Sequence, residues 1–475
     1  IVRRDVMGHV GGFDVIVVGG GNAGLVSAIT ACEHGKSVLL LEASPEHDRG
    51  GNSKFTRDWR VAHRAGEFGI RDAYTPEEFL DDLIRVTRGE TNTKLAKLVV
   101  EESPNVVYWA LKHGVKITKP LSGTLHLART NVFFLGGGKA LVNAYYHYLD
   151  KLGKSRRCMV LYNARVAKIN VEGREFRSLI ANVGGREVEL TATDLVIASG
   201  GFESNIELLR SYWGDAANNF IIRGTEYNTG IPMLEMIRHG AAIVGKPNDG
   251  HMIAVDTRAP RFNGGIVTRV DSIIYGIVIN KLGLRFYDEG EDEWPKRYAI
   301  WGKLIANQPG QIAFSIFDSK SWGLFIPPFK PPIRADTLED LVSELTKYGL
   351  EDPKQALETI RQFNNACPRG REPDYSRLDG SSTTGIKPPK SNWAVPIDKP
   401  PFYAYPLRPG LTFTYMGLRV DEHARVLDRS GNPFNNIFAA GEVMAGNVLT
   451  NGYLGGLGLV IGTVFGWIAG SGGEL

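Results

Sequence analysis

Gly19, Gly21 and Gly24 form a GxGxxG pattern directly after the apolar run Val15–Val18 and at the head of an amphipathic stretch. Bare backbone N–H groups at the start of a helix, with its dipole behind them, receive a pyrophosphate. Glu42 closes the next apolar run, Ser37–Leu41, 18 residues after Gly24. A carboxylate there accepts hydrogen bonds from the hydroxyls of an adenosine ribose and repels a 2′-phosphate. Strand, glycine turn, helix, strand and acid together describe a β-α-β unit for a dinucleotide.

Two dinucleotides share that unit, and the remaining glycines choose between them. Glycine supplies 56 of the 475 residues, about 12% against a usual ~7%, and it comes in clusters. Gly50, Gly51, Asn52 and Ser53 follow the acid, with Arg49 ahead of them; Ser199 and Gly200 end a later apolar run, and Gly441 and Glu442 lie near the end of the chain. A nicotinamide enzyme would place its catalytic domain downstream without returning to the cofactor. Repeated returns fit the larger FAD.

Residues 76–114 read as helices, the second interrupted near Pro104, and alternating strands follow in MVLYNARVAKINV and REVELTATDLVI. From Asn228 to Ser391 the character changes to Gly/Pro-rich turns, short strands, the acidic run DEGEDE and two helical segments. The expected fold is α/β: a Rossmann-like FAD-binding domain split into 1–227 and 392–475, with an α+β capping domain at 228–391 between them. The apolar segment Leu454–Gly470 is peppered with glycine and barely of spanning length, so it reads as a buried helix.

Composition excludes other classes. Lys plus Arg number 55 against 52 Asp plus Glu, a net +3, without the basic excess of a nucleic-acid binder. Cys32, Cys158 and Cys367 show no CxxC or Cys/His spacing, so neither a disulfide framework nor a metal site is expected, and a reducing, cytoplasmic compartment fits. The opening IVRRDVMGHVGG has no apolar run of signal-peptide length.

VVGGGNAGLVSAITA, RGGNS, IASGGF, AAGEV and YLGGLGLVIGTVFGWIAG resemble the fumarate reductase and succinate dehydrogenase flavoprotein family across nearly the whole chain. Within it, ARTNVFFLGGGKALVNAYY, NKLGLRFYDEGEDEWPKRYAIWG and GEVMAGNVLTNGYLGG resemble the FAD-dependent tricarballylate dehydrogenases and the flavin half of the cobalamin-pathway protein CobZ. The resemblance implies hydride transfer between a carbon acid and flavin N5, forming a C=C bond. It places Asn22, Ala23, Ala43, Val166, Gly456 and Leu457 beside the cofactor and turns the start of the last helix toward the flavin. RGGNS lacks the histidine of covalent flavin attachment, implying noncovalent FAD.

Members acting on succinate or fumarate grip carboxylates with a histidine and an arginine, where this chain holds Thr412 or Phe413 and Tyr453. The resemblance therefore implies another acid, such as tricarballylate, with the Tyr453 phenol donating a hydrogen bond to it. By the same resemblance Arg297, in the field of Asp288, Glu289 and Asp292, transfers the proton and His251 contacts substrate. Arg129 is a further candidate to hold an anion bidentately. A separate iron–sulfur acceptor protein, with attachment to a membrane through it, is also implied. Two readings stay open: a ketosteroid-dehydrogenase-like enzyme acting on a neutral ketone, and a flavin-holding electron-transfer subunit with an iron–sulfur partner.

Overall fold

In the computed structural model, which describes residues 9–155, 157–263 and 266–475, the opening strand His9–Val18 lies inside an eight-stranded sheet. The first eight residues of the stretch read for a leader lie outside the described residues. Val38–Leu41 pairs parallel to the opening strand on one side and Arg186–Ile197 on the other. Cys158–Leu161 extends one flank and Pro433–Ala439 the other, again parallel. The register Ile437↔Leu195 brings the last part of the chain back to the first. Val38–Leu41 is buried throughout, as a strand covered on both faces must be.

Helix Asn22–Glu33 follows the glycine turn and packs against the terminal helix Leu457–Gly470, to which the Asn22 amide donates at Leu459 O and Thr463 Oγ1, both 3.1 Å. The terminal helix is apolar on all sides because it is enclosed on all sides. Among the described residues no helix is long and apolar enough to cross a membrane. Helix Thr93–Lys112 runs through Pro104 instead of breaking there. Proline cannot donate to the carbonyl one turn back, and the Ser103 hydroxyl donates to Val100 O at 2.7 Å in its place.

A second, seven-stranded sheet is built on Phe402–Thr414, against which Gly250–Asp256, Ala313–Asp318, Ile221–Arg223 and Ile333–Ala335 all pair. The capping sheet thus recruits strands from either side of the 228–391 expected for it. One strand of thirteen residues can serve as a common spine only if it comes from outside the insertion's own short strands. A separate core, including Phe314, Ile316, Ile360 and Phe363, lies beneath this lobe.

Cys32 and Cys158 form a disulfide, correcting the expectation of three free thiols and removing that argument for a reducing compartment. The two lie 126 residues apart in sequence, and parallel pairing of Cys158 with Val38 sets their Cα atoms 6.3 Å apart. No spacing motif signals such a pair. Alkylation of the denatured, unreduced protein should label Cys367 alone, and all three cysteines after reduction; three labels without reductant would show the pair open.

Candidate active site

The end of the first sheet and one face of the second enclose a cavity of about 790 Å³. Gly19, Gly21, Asn22, Ala23, Glu42 and Ala43 line one end of it, joined by Gly51, Asn52, Ser53 and Val166. Ser199, Gly200, Gly441, Glu442 and Gly456 line it as well. Gly19 sits at φ +107, and a Cβ there would stand 2.1 Å from Ala198 O. Two polar atoms among these residues, Asn22 Oδ1 and Ser199 Oγ, are buried without a partner, as expected where a polar ligand completes the set. The residues fit FAD.

Three of the residues expected at the cofactor do not line the cavity. Gly24 packs helix on turn, where a Cβ would fall 1.7 Å from Gly19 O; Gly50 faces Val142; Leu457 is in the core. Asn52 reaches the cavity, but its amide clamps the glycine loop to the second sheet, donating to Glu203 Oε1 and Thr412 O at 2.8 and 2.9 Å. Glu42 accepts from Ser44 N at 3.1 Å and from the Tyr146 phenol at 3.3 Å, and burial raises it. Glu203 and Glu442 are enclosed beside each other; burial raises both, and the neighbouring Glu203 raises Glu442 further, whereas the contact with Glu442 pulls Glu203 partly back. Two adjacent enclosed carboxyls cannot both ionise, so they hold a proton between them.

At the other end of the cavity His251 and Tyr453 come together, their rings edge to face at 4.4 Å. His251 Nε2 lies 2.8 Å from the Tyr298 hydroxyl, and its Nδ1 is buried without a partner. Burial, then Arg223 and Arg269, hold this imidazole well below the usual histidine range, so it is neutral. The Tyr453 oxygen accepts from Gly458 N at 2.8 Å and so caps the terminal helix, leaving its proton to donate.

Arg129 and Arg297 are not brought to the cavity. Arg129 forms a two-pronged pair with Glu78 at the surface, and Arg297 pairs with Glu291 at 3.0 Å. The one-turn helix Trp294–Arg297 carries that arginine away, while Pro295 and Tyr298 face inward. Asp288 and Glu289 are likewise committed elsewhere, to Ser391 and Arg285.

Sequence reasoning missed Arg57, Arg223, Arg269 and Tyr298, all of which line the cavity. Arg57 pairs with Asp58 at 3.4 Å while its Nη1 stays without a partner. Arg269 pairs with Asp271 at 2.6 Å, and Asp271 also accepts from the Trp294 indole at 2.8 Å. Arg223 donates to Thr412 Oγ1 at 3.4 Å. Burial, then Arg269, lowers Arg223 to about 10, and the same two causes lower Arg57. Burial works against Arg269 as well, but Asp271 and Tyr298 outweigh it. Thr412 and Phe413 both line the cavity because the pairing shifts there: His251 opposes Phe413, whereas Met252 opposes Leu411. That bulge turns two consecutive residues inward, which a regular strand cannot do. Arg57, four residues past Ser53, was the one new residue with a local sequence signal.

The FAD binding domain family matches residues 14–459. NADH:fumarate oxidoreductase of Klebsiella pneumoniae (strain 342) is 26% identical over 96% of this chain and 47% of its own length. The chain therefore spans about half the length of that relative. The open conformation of a flavocytochrome c3 fumarate reductase superposes with a TM-score of 0.72 at 23% identity, over 97% of this chain and 78% of that one. For 3-ketosteroid delta1-dehydrogenase from Sterolibacterium denitrificans the TM-score is 0.74 at 19% identity, over 98% and 99%. These two likenesses are of fold.

Proposed function

The chain belongs to the FAD-binding-domain flavoproteins, and from that premise we propose an FAD-dependent dehydrogenase that desaturates a polycarboxylic acid of the tricarballylate kind. When bound, FAD supplies the two-electron acceptor for a CH–CH group. Residues around Gly19–Ala23, Glu42, Gly51–Ser53, Ser199–Gly200 and Gly441 would hold it, without a covalent bond.

The observation that carries the substrate reading is the convergence of Arg57, Arg223 and Arg269 on one cavity, with Asp58 and Asp271 paired to the first and last of them. Guanidiniums stay charged even when burial opposes them, and their mutual repulsion falls when an anion enters. Asp58 and Asp271 hold two of the forks in place, leaving donors for substrate carboxylates, which guanidiniums match bidentately. The buried imidazole of His251 and the Tyr453 phenol, in contact with each other at that end of the cavity, orient the acid that lies against them. Enclosure by Phe413 and Tyr298 keeps water from competing for these donors. As the resemblance implies, the electrons then leave for a separate iron–sulfur protein.

Anaerobic addition of tricarballylate should bleach the bound flavin, whereas a neutral 3-ketosteroid should not. Bleaching by the steroid alone would reverse the order and favour the ketone reading, which the phenols of Tyr298 and Tyr453 otherwise support. A flavin reduced by neither would favour the electron-transfer subunit.

A further inference from the structure

Desaturation next to a carboxylate needs a group that takes a proton from carbon, and the arginine expected for that task is turned away on Glu291. We propose that Tyr298 is the catalytic residue that exchanges the proton with the substrate carbon, with His251 and Arg269 holding it for that exchange. This rests on the reading of the cavity as a carboxylate site.

Tyr298 is 5% exposed and lines the cavity with its hydroxyl 2.8 Å from His251 Nε2. The Arg269 guanidinium lies 4.1 Å from the centre of its ring, fixed there by Asp271. A phenolate formed at this position is therefore met by a hydrogen-bonding imidazole and a cation over its ring. Tyr453, the phenol in contact with His251 at the same end of the cavity, has no cation over its ring among the described residues and already accepts from Gly458 N. Burial pushes Tyr298 up to about 12, with Arg269 foremost in pulling it back, whereas burial and the neighbouring Tyr298 push Tyr453 well above the usual tyrosine range. Of the two, Tyr298 gives up its proton more readily.

In alkene reduction the Tyr298 O–H bond breaks and its proton forms the new C–H bond next to the carboxylate. The electron pair of that bond comes from the alkene, and bound, reduced FAD would supply the hydride for the neighbouring carbon as the two-electron donor. Desaturation runs the same atoms backward: the phenolate oxygen takes the carbon's proton, the C–H pair becomes the second bond of the alkene, and bound, oxidised FAD would accept the hydride from the neighbouring carbon. Charge and atoms balance in both directions, with Tyr298 cycling between phenol and phenolate.

The test compares parent holoenzyme with Tyr298→Phe and Arg297→Gln, reading single-turnover bleaching by whichever of tricarballylate or a 3-ketosteroid reduces the parent flavin. Binding is read separately, from the shift of the flavin spectrum on adding citrate, whose central carbon carries no hydrogen and cannot be desaturated. Tyr298→Phe should keep its FAD and bind citrate within about threefold of the parent, while bleaching slows by roughly 10²–10⁴-fold, the usual worth of general acid–base catalysis. His251→Asn, a second variant, should slow bleaching less and leave FAD content intact. Bleaching of Tyr298→Phe within tenfold of the parent, or a large loss in Arg297→Gln alone, would overturn the proposal. A parent flavin that only the steroid bleaches overturns the carboxylate reading instead, and one that neither compound reduces overturns both.

Discussion

Arg223→Met should lose activity toward the acid without losing the fold. Arg223 is 7% exposed, closes the strand Ile221–Arg223 and reaches the cavity beside Thr412. Hydrogen bonds to a charged group contribute about 1.5–3 kcal/mol each, so kcat/KM for the acid should fall by roughly 10²-fold, at about 1.4 kcal/mol per decade. Stability should move the other way or stay level. Burial and the neighbouring Arg269 and Arg57 both oppose the Arg223 charge, and methionine fills much of the same volume without it. FAD content, melting temperature and citrate affinity measured together check the pair of signs. A variant that binds citrate as the parent does would remove Arg223 from the site.

The second large effect separates two glycines of one turn. A Cβ on Gly24 would fall 1.7 Å from the Gly19 carbonyl oxygen, a backbone atom that cannot step aside. Gly24→Val should therefore fail to fold, or yield little soluble protein. A Cβ on Gly21 meets nothing nearer than Ser53 Oγ at 3.4 Å, and its backbone is extended. Gly21→Val should fold normally yet fill the space where a pyrophosphate would lie, weakening FAD binding by up to roughly 10²-fold on the cost of overpacking. Circular dichroism and the visible spectrum distinguish the two: a yellow Gly21→Val protein would mean that the cofactor phosphates lie elsewhere.

The contrast between these glycines shows what was legible. GxGxxG and Glu42 could be read because their geometry is local, set by one turn and one helix N-terminus within a single β-α-β unit. The return of AAGEV to the cavity could be read because its glycine comes just after an apolar strand, as in the first glycine turn. The course of helix Thr93–Lys112 could not be, because Ser103 compensates for Pro104 through a contact that leaves no periodic trace. Arg129 and Arg297 had the right side chain for an anion or a proton, but nearby Glu78 and Glu291 occupy them.

By itself the amino-acid sequence determined the dinucleotide-binding unit, the identity of its ligand as FAD, and the joining of the chain's two ends around it. Only the tertiary structure decided which charged groups face the reacting end. Arg57, Arg223, Arg269 and Tyr298 come from four separate segments, and the sheet built on Phe402–Thr414, with its bulge at Thr412, helps bring them to one wall. Nearest-neighbour chemistry is written along the chain, whereas convergence of distant side chains depends on strand order and register, which no spacing encodes.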